Sequence, residues 1–279
     1  MTPSDPDTEN LTRKQRRDQA RDQRKAQEEA QASAAASRRR LMQLGGVVAA
    51  VVVVIVVILI ATSGSKNPAT ESTKVPTTTS AKNAAASAVE SELNGIPQQG
   101  NVLGKPNAPV TMQYFGDLKC PYCNQFTLTA LPNLIQNDVR TGKLKVEYKS
   151  METATRNPPE FLRQQSAAYA AGAQNKGWYF IELFYHEQGD ETERYATEGF
   201  LQGLAEQVPG LNVSKWHTDR KSEAFETEVL KDEKESREIG FEGTPSFMLG
   251  KTGQKLKPFS STSLENASAF EPTINELAS

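Results

Sequence analysis

The stretch Phe115-Gly116-Asp117-Leu118-Lys119-Cys120-Pro121-Tyr122-Cys123 decides the reading of this chain, because it joins a strand pattern to a helix pattern through the only two cysteines of the sequence. Upstream, Val110 to Phe115 is an apolar run that predicts a buried strand. Downstream, Phe126, Leu128, Leu131, Leu134 and Ile135 recur on one helical face. Pro121 suits the first helical turn, where no amide hydrogen is needed, and Pro132 is expected to kink the helix. Leu144, Val146 and Tyr148 then alternate with Lys145, Glu147 and Lys149, the pattern of a second strand in a partly covered sheet. The order so far is strand, helix, strand.

Further along, residues 158 to about 240 carry helical stretches at Phe161 to Asn175, Trp178 to His186, Thr197 to Gln207 and Lys221 to Ile239, with no strong strand between them. After Gly243, the apolar run Ser246 to Leu249 predicts a strand, with Gln254 to Lys257 returning antiparallel after a turn at Gly250 to Gly253. A last helix is expected from about Ser263 to Leu277. The sum is an α/β domain: a mixed sheet with helices on both sides and a helical block, at about 158–240, inserted between its halves.

Toward the N-terminus the character changes. Residues 1–43 are polar and charged, and read as a cytoplasmic charged tail, solvated or disordered. Residues 44–61, LGGVVAAVVVVIVVILIA, contain no charged side chain. As a helix they would reach about 27 Å, which predicts a single transmembrane helix acting as a signal anchor. The small residues Ala61, Thr62, Ser63 and Gly64 leave cleavage as the alternative. Arg24, Lys25, Arg38, Arg39 and Arg40 precede the span, whereas Lys66 and Lys74 follow it, so the N-terminus is expected in the cytoplasm and the remainder outside. Residues 62–97, rich in Ser, Thr, Ala and Pro, read as a flexible linker, leaving 98–279 as the folded domain. The net charge of −2 over 279 residues argues against a nucleic-acid partner.

Two cysteines spaced three apart form no structural disulfide framework, so the pair is expected to be chemical. A thiolate is the attacking species, and a free cysteine with a pKa of about 8.5 is mostly protonated near neutrality. A helix N-terminus supplies unpaired amides and the positive end of the dipole. Cys120 is therefore expected to be the exposed nucleophile, and Cys123, one turn in, the shielded thiol that closes back on it. A zinc site would need further ligands, and the chain offers only His186 and His217 without zinc-motif spacing, so no metal is expected. His186, His217, Trp178 and Trp216 read as packing or surface residues of the helical block.

The segment Phe115 to Cys123 resembles the active-site opening of DsbA-like thioredoxin-fold proteins. Trp178 to His186 resembles the start of that family's inserted helical region, and Gly243-Thr244-Pro245-Ser246-Phe247 its cis-proline loop. The likeness covers roughly residues 100–279. It implies a thioredoxin-like fold with an inserted helical subdomain, no cofactor, and a cis Pro245 facing the cysteines with Thr244 offering backbone hydrogen bonds to an extended client peptide. Two departures stand out. Strongly oxidising members often have histidine between the cysteines where this chain has Pro121 and Tyr122, the glutaredoxin dipeptide, which implies a less stabilised thiolate. The position six before the first cysteine, often a buried acid in thioredoxin-fold proteins, is Tyr114, so Asp117 or Glu147 is the candidate substitute proton acceptor, against plainer readings as a turn and a surface strand residue.

The expected function is a membrane-anchored thiol-disulfide oxidoreductase that gives its disulfide to exported cysteine-containing proteins and is recharged by a separate membrane redox partner. A reductase or isomerase in the same place, and a non-catalytic tethered peptide-binding module, are the alternatives.

Overall fold

A computed structural model describes residues 79–279. The expected tail at 1–43, the apolar span at 44–61 and the linker as far as residue 78 lie outside the described residues.

The sheet is built around β3 (Val110–Gly116), in which every residue except Gln113 is buried. Such a run belongs in the centre of a sheet covered on both faces. β3 pairs in parallel with β4 (Leu144–Ser150) and antiparallel with β5 (Ser246–Lys251). The short strands β1 (Gln98–Gln99), β2 (Val102–Leu103) and β6 (Lys257–Phe259) complete the order β1-β2-β4-β3-β5-β6. The return strand β6 lies three residues beyond the predicted start because its register sets Phe259 opposite Phe247, where it also packs on Phe270 at 5.4 Å.

Side chains that alternate along the strands feed two cores. On one face Tyr114, Phe126, Phe247 and Phe270 form an aromatic cluster, with Phe126 and Phe247 centroids 4.8 Å apart. On the other, Phe115, Met151 and Met248 pack with Ile239, Phe241 and Leu256. Helix α2 (Pro121–Leu134) links β3 to β4 and runs past Pro132 into a π-helical turn at Ile135–Val139. Between β4 and β5 come the helices α3 (Pro158–Gly172), α4 (Gly177–His186), α5 (Glu198–Ala205), α6 (Val213–Asp219) and α7 (Glu223–Ile239). This is the helical insertion expected at about 158–240. Gly240, at φ 89°, closes α7 in the left-handed conformation that a side chain resists. The last helix, α8 (Glu271–Ala278), begins later than predicted because Pro272 fits only a first helical turn; a 3-10 turn at Ala267–Ala269 precedes it.

The flexible linker read over 62–97 needs correction at its C-terminal end. Helix α1 (Thr79–Leu93) occupies much of it, and Val89, Leu93 and Ile96 are buried in the main core. Three apolar positions near one end of an alanine-rich segment make too short a stripe to register as helical periodicity. Tertiary packing, with alanine's high helix propensity, supplies the rest. Arg140 donates to the carbonyls of Glu92 at 2.7 Å and Asn94 at 3.0 Å, satisfying oxygens that the helix end leaves open.

Candidate active site

Cys120 caps the N-terminus of α2 with extended backbone (φ −72°, ψ 123°), and Pro121 follows in the first turn. Both cysteines are free thiols; Cys120 is 4% exposed and Cys123 is wholly buried. The expected exposed nucleophile is thus nearly covered, because its thiol tucks under the loop before β5 and donates to the carbonyl oxygen of Thr244 at 3.3 Å. The Cys120 pKa is drawn down to about 6, first by the Cys123 thiol, then by Thr244 and the amides of Cys123 and Tyr122, with burial opposing them. Burial pushes the Cys123 thiol well up. One sulfur is poised to ionise and the other to keep its proton.

The Thr244–Pro245 peptide bond is cis. The Thr244 and Thr153 hydroxyls lie 2.6 Å apart, tying this loop to the one that follows β4. A cleft of about 590 Å³ opens between them, lined by Cys120, Tyr122, Gln125, Thr153, Arg156 and Thr244 among others. Tyr122 is 62% exposed, a large apolar surface beside the reactive sulfur.

This geometry has known counterparts. A family model described as thioredoxin matches residues 97–265. The chain belongs to the thioredoxin family. The probable disulfide bond formation protein D of Bacillus cereus is 30% identical over 151 residues, covering 52% of this chain and 67% of that protein. The disulfide bond formation protein D of Bacillus subtilis is 26% identical over 152 residues, covering 52% and 65%. Each match therefore spans about two thirds of the relative's length. Among solved structures, oxidised BdbD from Bacillus subtilis superposes with a TM-score of 0.55 at 22% identity, over 66% of this chain and 97% of that one. DsbA from Chlamydia trachomatis does so with a TM-score of 0.51 at 18% identity, over 63% and 90%. Within the thioredoxin family the chain is a DsbA-like oxidoreductase.

As a thioredoxin-family protein it departs from the family pattern beneath the cysteines. The Tyr114 hydroxyl, in the place of the buried acid, lies 3.5 Å from the Cys123 carbonyl oxygen, 3.3 Å from the Thr127 hydroxyl and 3.1 Å from that of Tyr185. The Tyr185 hydroxyl donates to the carbonyl of Asp117 at 3.2 Å. Burial holds both tyrosines well above their ordinary pKa, so they serve as neutral hydrogen-bonding groups. Gly116 ends β3 where a Cβ would stand 2.9 Å from the Tyr148 ring.

The two candidate proton acceptors occupy the turn and strand positions of their plainer readings. Asp117 is fully buried, but its carboxylate accepts from the amides of Lys119 (3.0 Å), Thr153 (2.9 Å) and Thr155 (2.9 Å) and from the Thr155 hydroxyl (2.5 Å). It fastens the 153–155 loop to the turn before Cys120. Glu147 lies along the sheet, accepting from Gln113 at 2.9 Å. Asp117→Asn is expected to lower unfolding free energy by about 1–3 kcal/mol, since one oxygen that accepts becomes an amide that cannot. Its exchange rate per folded molecule should stay at the wild-type value, which denaturant titration and single-turnover kinetics together would check.

Sequence reasoning missed several supporting residues. Lys119, 2% exposed, reaches Glu160 at 3.1 Å and the Glu193 carbonyl at 2.7 Å. Gln188 donates to the carbonyls of Leu118 at 2.7 Å and Cys120 at 3.2 Å, and Asn124 to that of Tyr185 at 2.6 Å. The one local hint was Lys119 itself, a charge inside the motif joining a buried strand to a helix. His186 is half-buried, and Trp178 and Trp216 are fully buried with their indole N–H groups bonded to the carbonyls of Asn101 and Ala167.

Proposed function

We propose that the protein gives a disulfide to cysteine-containing proteins outside the cytoplasm through Cys120 and Cys123, with Thr244 and Pro245 binding the client beside the sulfurs. The observation that carries this is an ionisable sulfur that lines an open cleft at a helix start, with a second, wholly buried thiol one turn behind it. In the oxidised form a client thiolate attacks the Cys120 sulfur, breaking the bond to Cys123, which leaves as a thiolate and takes up a proton. A second client thiolate then attacks the client's own sulfur in the mixed disulfide and expels Cys120 as a thiolate. Two electrons pass to the protein, the client is left oxidised, and the readily ionised Cys120 is the better leaving group.

The apolar segment 44–61 supports a single-pass anchor with a cytoplasmic N-terminus, in contact with the lipid bilayer. With only two cysteines the protein has no internal relay, so a membrane redox partner would reoxidise the pair. A stabilised thiolate favours the reduced form and makes the disulfide more oxidising. A Cys120 pKa of about 6 lies between those of thioredoxin (~7) and DsbA (~3.5). The reduction potential is accordingly expected between ~ −270 and ~ −120 mV.

Two measurements test the reading: equilibration of the full-length protein with glutathione, and thiol trapping in cells. A potential on the oxidising side of the glutathione pool with the pair oxidised in cells supports a disulfide donor. A potential near thioredoxin's with the pair reduced turns the reading to a reductase or isomerase. Cys120→Ser and Cys123→Ser variants that keep full cellular function would leave only a peptide-binding module.

A further inference from the structure

The loop between β4 and α3 forms one wall of the cleft and is pinned on both sides of Arg156. Ahead of it, Thr155 is held by the Asp117 carboxylate and by the side chain of Gln164 at 2.6 Å. Behind it, Asn157 caps α3, accepting from the amide of Glu160 at 3.1 Å. Between these anchors Arg156 adopts φ 46°, in the left-handed region where a side chain meets its own backbone and glycine does not. The local geometry alone favours glycine here, yet the chain carries a long cationic side chain, and that side chain lines the cleft with Cys120. Residues held by their surroundings in such unfavourable backbone conformations cluster at active sites and ligand clamps.

The charge is also uncommitted. Arg156 is exposed and enters no ion pair or side-chain hydrogen bond among the described residues, whereas Arg163 and Arg220 pair with Glu198, and Arg237 with Glu233. The other ionisable side chains lining the cleft are the Cys120 thiol, the exposed Tyr122 phenol and Glu191, and no ion pair joins Glu191 to Arg156. A guanidinium presents a planar fork of donors suited to a carboxylate.

We propose that Arg156 is a specificity-determining residue, selecting client segments that carry an acidic side chain next to the reacting cysteine. The proposal rests on the disulfide-exchange reading of the site. Arg156 takes no part in bond making; it biases which segment lies across the cleft when the client sulfur reaches Cys120.

The test uses oxidised full-length protein and three cysteine peptides that differ only in flanking Glu, Gln or Lys, with rates normalised to each peptide's thiolate concentration. The Glu-flanked peptide is expected to react about 2–5-fold faster than the Lys-flanked one, the range for a single partly exposed ion pair, and the preference should fade in high salt. Arg156→Gly should bring that ratio to about 1, or below it because Glu191 stays in the cleft, while thermal stability holds or rises, because glycine accepts the left-handed backbone. Arg156→Glu should invert the ratio. A preference that Arg156→Gly leaves unmoved, or no preference in the parent protein, overturns this proposal alone. Failure of all three peptides to exchange overturns the disulfide-exchange reading and this proposal together.

Discussion

Changing Lys119 to methionine is expected to lower the unfolding free energy by about 3–5 kcal/mol, the range for stranding one member of a buried ion pair. Lys119 and Glu160 are 2% and 3% exposed, so almost no water screens the charge left behind. The ammonium also binds the Glu193 carbonyl and lies 5.4 Å from the centre of the Tyr195 ring, so three contacts go at once. The start of α3 softens the loss slightly, since Glu160 sits in its first turn where the helix dipole favours an anion. Denaturant titration of Lys119→Met, Glu160→Gln and the double variant would measure the coupling. The double variant should recover much of the loss, because the stranded carboxylate is then neutral. Additive effects would instead show that Lys119 acts through the Glu193 carbonyl alone. The consequence reaches the site: this residue precedes Cys120, and its partner loop carries Gln188, which holds the Cys120 carbonyl.

In the reduced protein, Cys123→Ala is expected to slow alkylation of Cys120 at pH 7 by up to about 30-fold, as its thiolate fraction falls from about nine tenths toward that of a free cysteine with a pKa of about 8.5. The Cys123 thiol is the largest influence holding Cys120 near 6, and alanine removes the donor. The Thr244 hydroxyl and the amides of Tyr122 and Cys123 remain, so the full shift is an upper bound. Cys123→Ser keeps a donor and should fall between. Titrating the thiolate absorbance against pH in each variant gives the midpoints, and identical midpoints would assign the stabilisation to the helix start. The folded protein holds the Cys120 pKa below that of a free cysteine. The thiolate's contribution to the reduced fold is complete above about pH 8.5, declines as pH falls, and is gone below about pH 6.

Much of the frame could be read from local pattern. Val110 to Phe115, the cysteine pair and the apolar face of Phe126 to Ile135 specify strand, turn and helix because hydrophobic periodicity and turn chemistry act over a few residues. The alternation at Leu144 to Tyr148 and the long helical tract before Gly243 fall under the same rule, and resemblance in three ordered stretches pointed to the bond before Pro245, which is cis. Helix α1 escaped notice since its buried positions Val89 and Leu93, with Ile96 just beyond its end, become a face only when the rest of the core covers them.

What tertiary structure alone decided lies in contacts between distant parts of the chain. Asp117 reads as a turn residue until the loop at 153–155 folds onto it and claims both its oxygens. Lys119 meets Glu160 across 41 positions, Cys120 is covered by a carbonyl 124 residues away, and Arg156 reaches the cleft only because its neighbours are pinned. The chemistry of two thiols was written in their spacing and their place at a helix start. Which sulfur ionises followed from the helix start, whereas what shields it and which side chains stand beside it depend on burial and on long loops being closed, quantities that no short window of sequence contains.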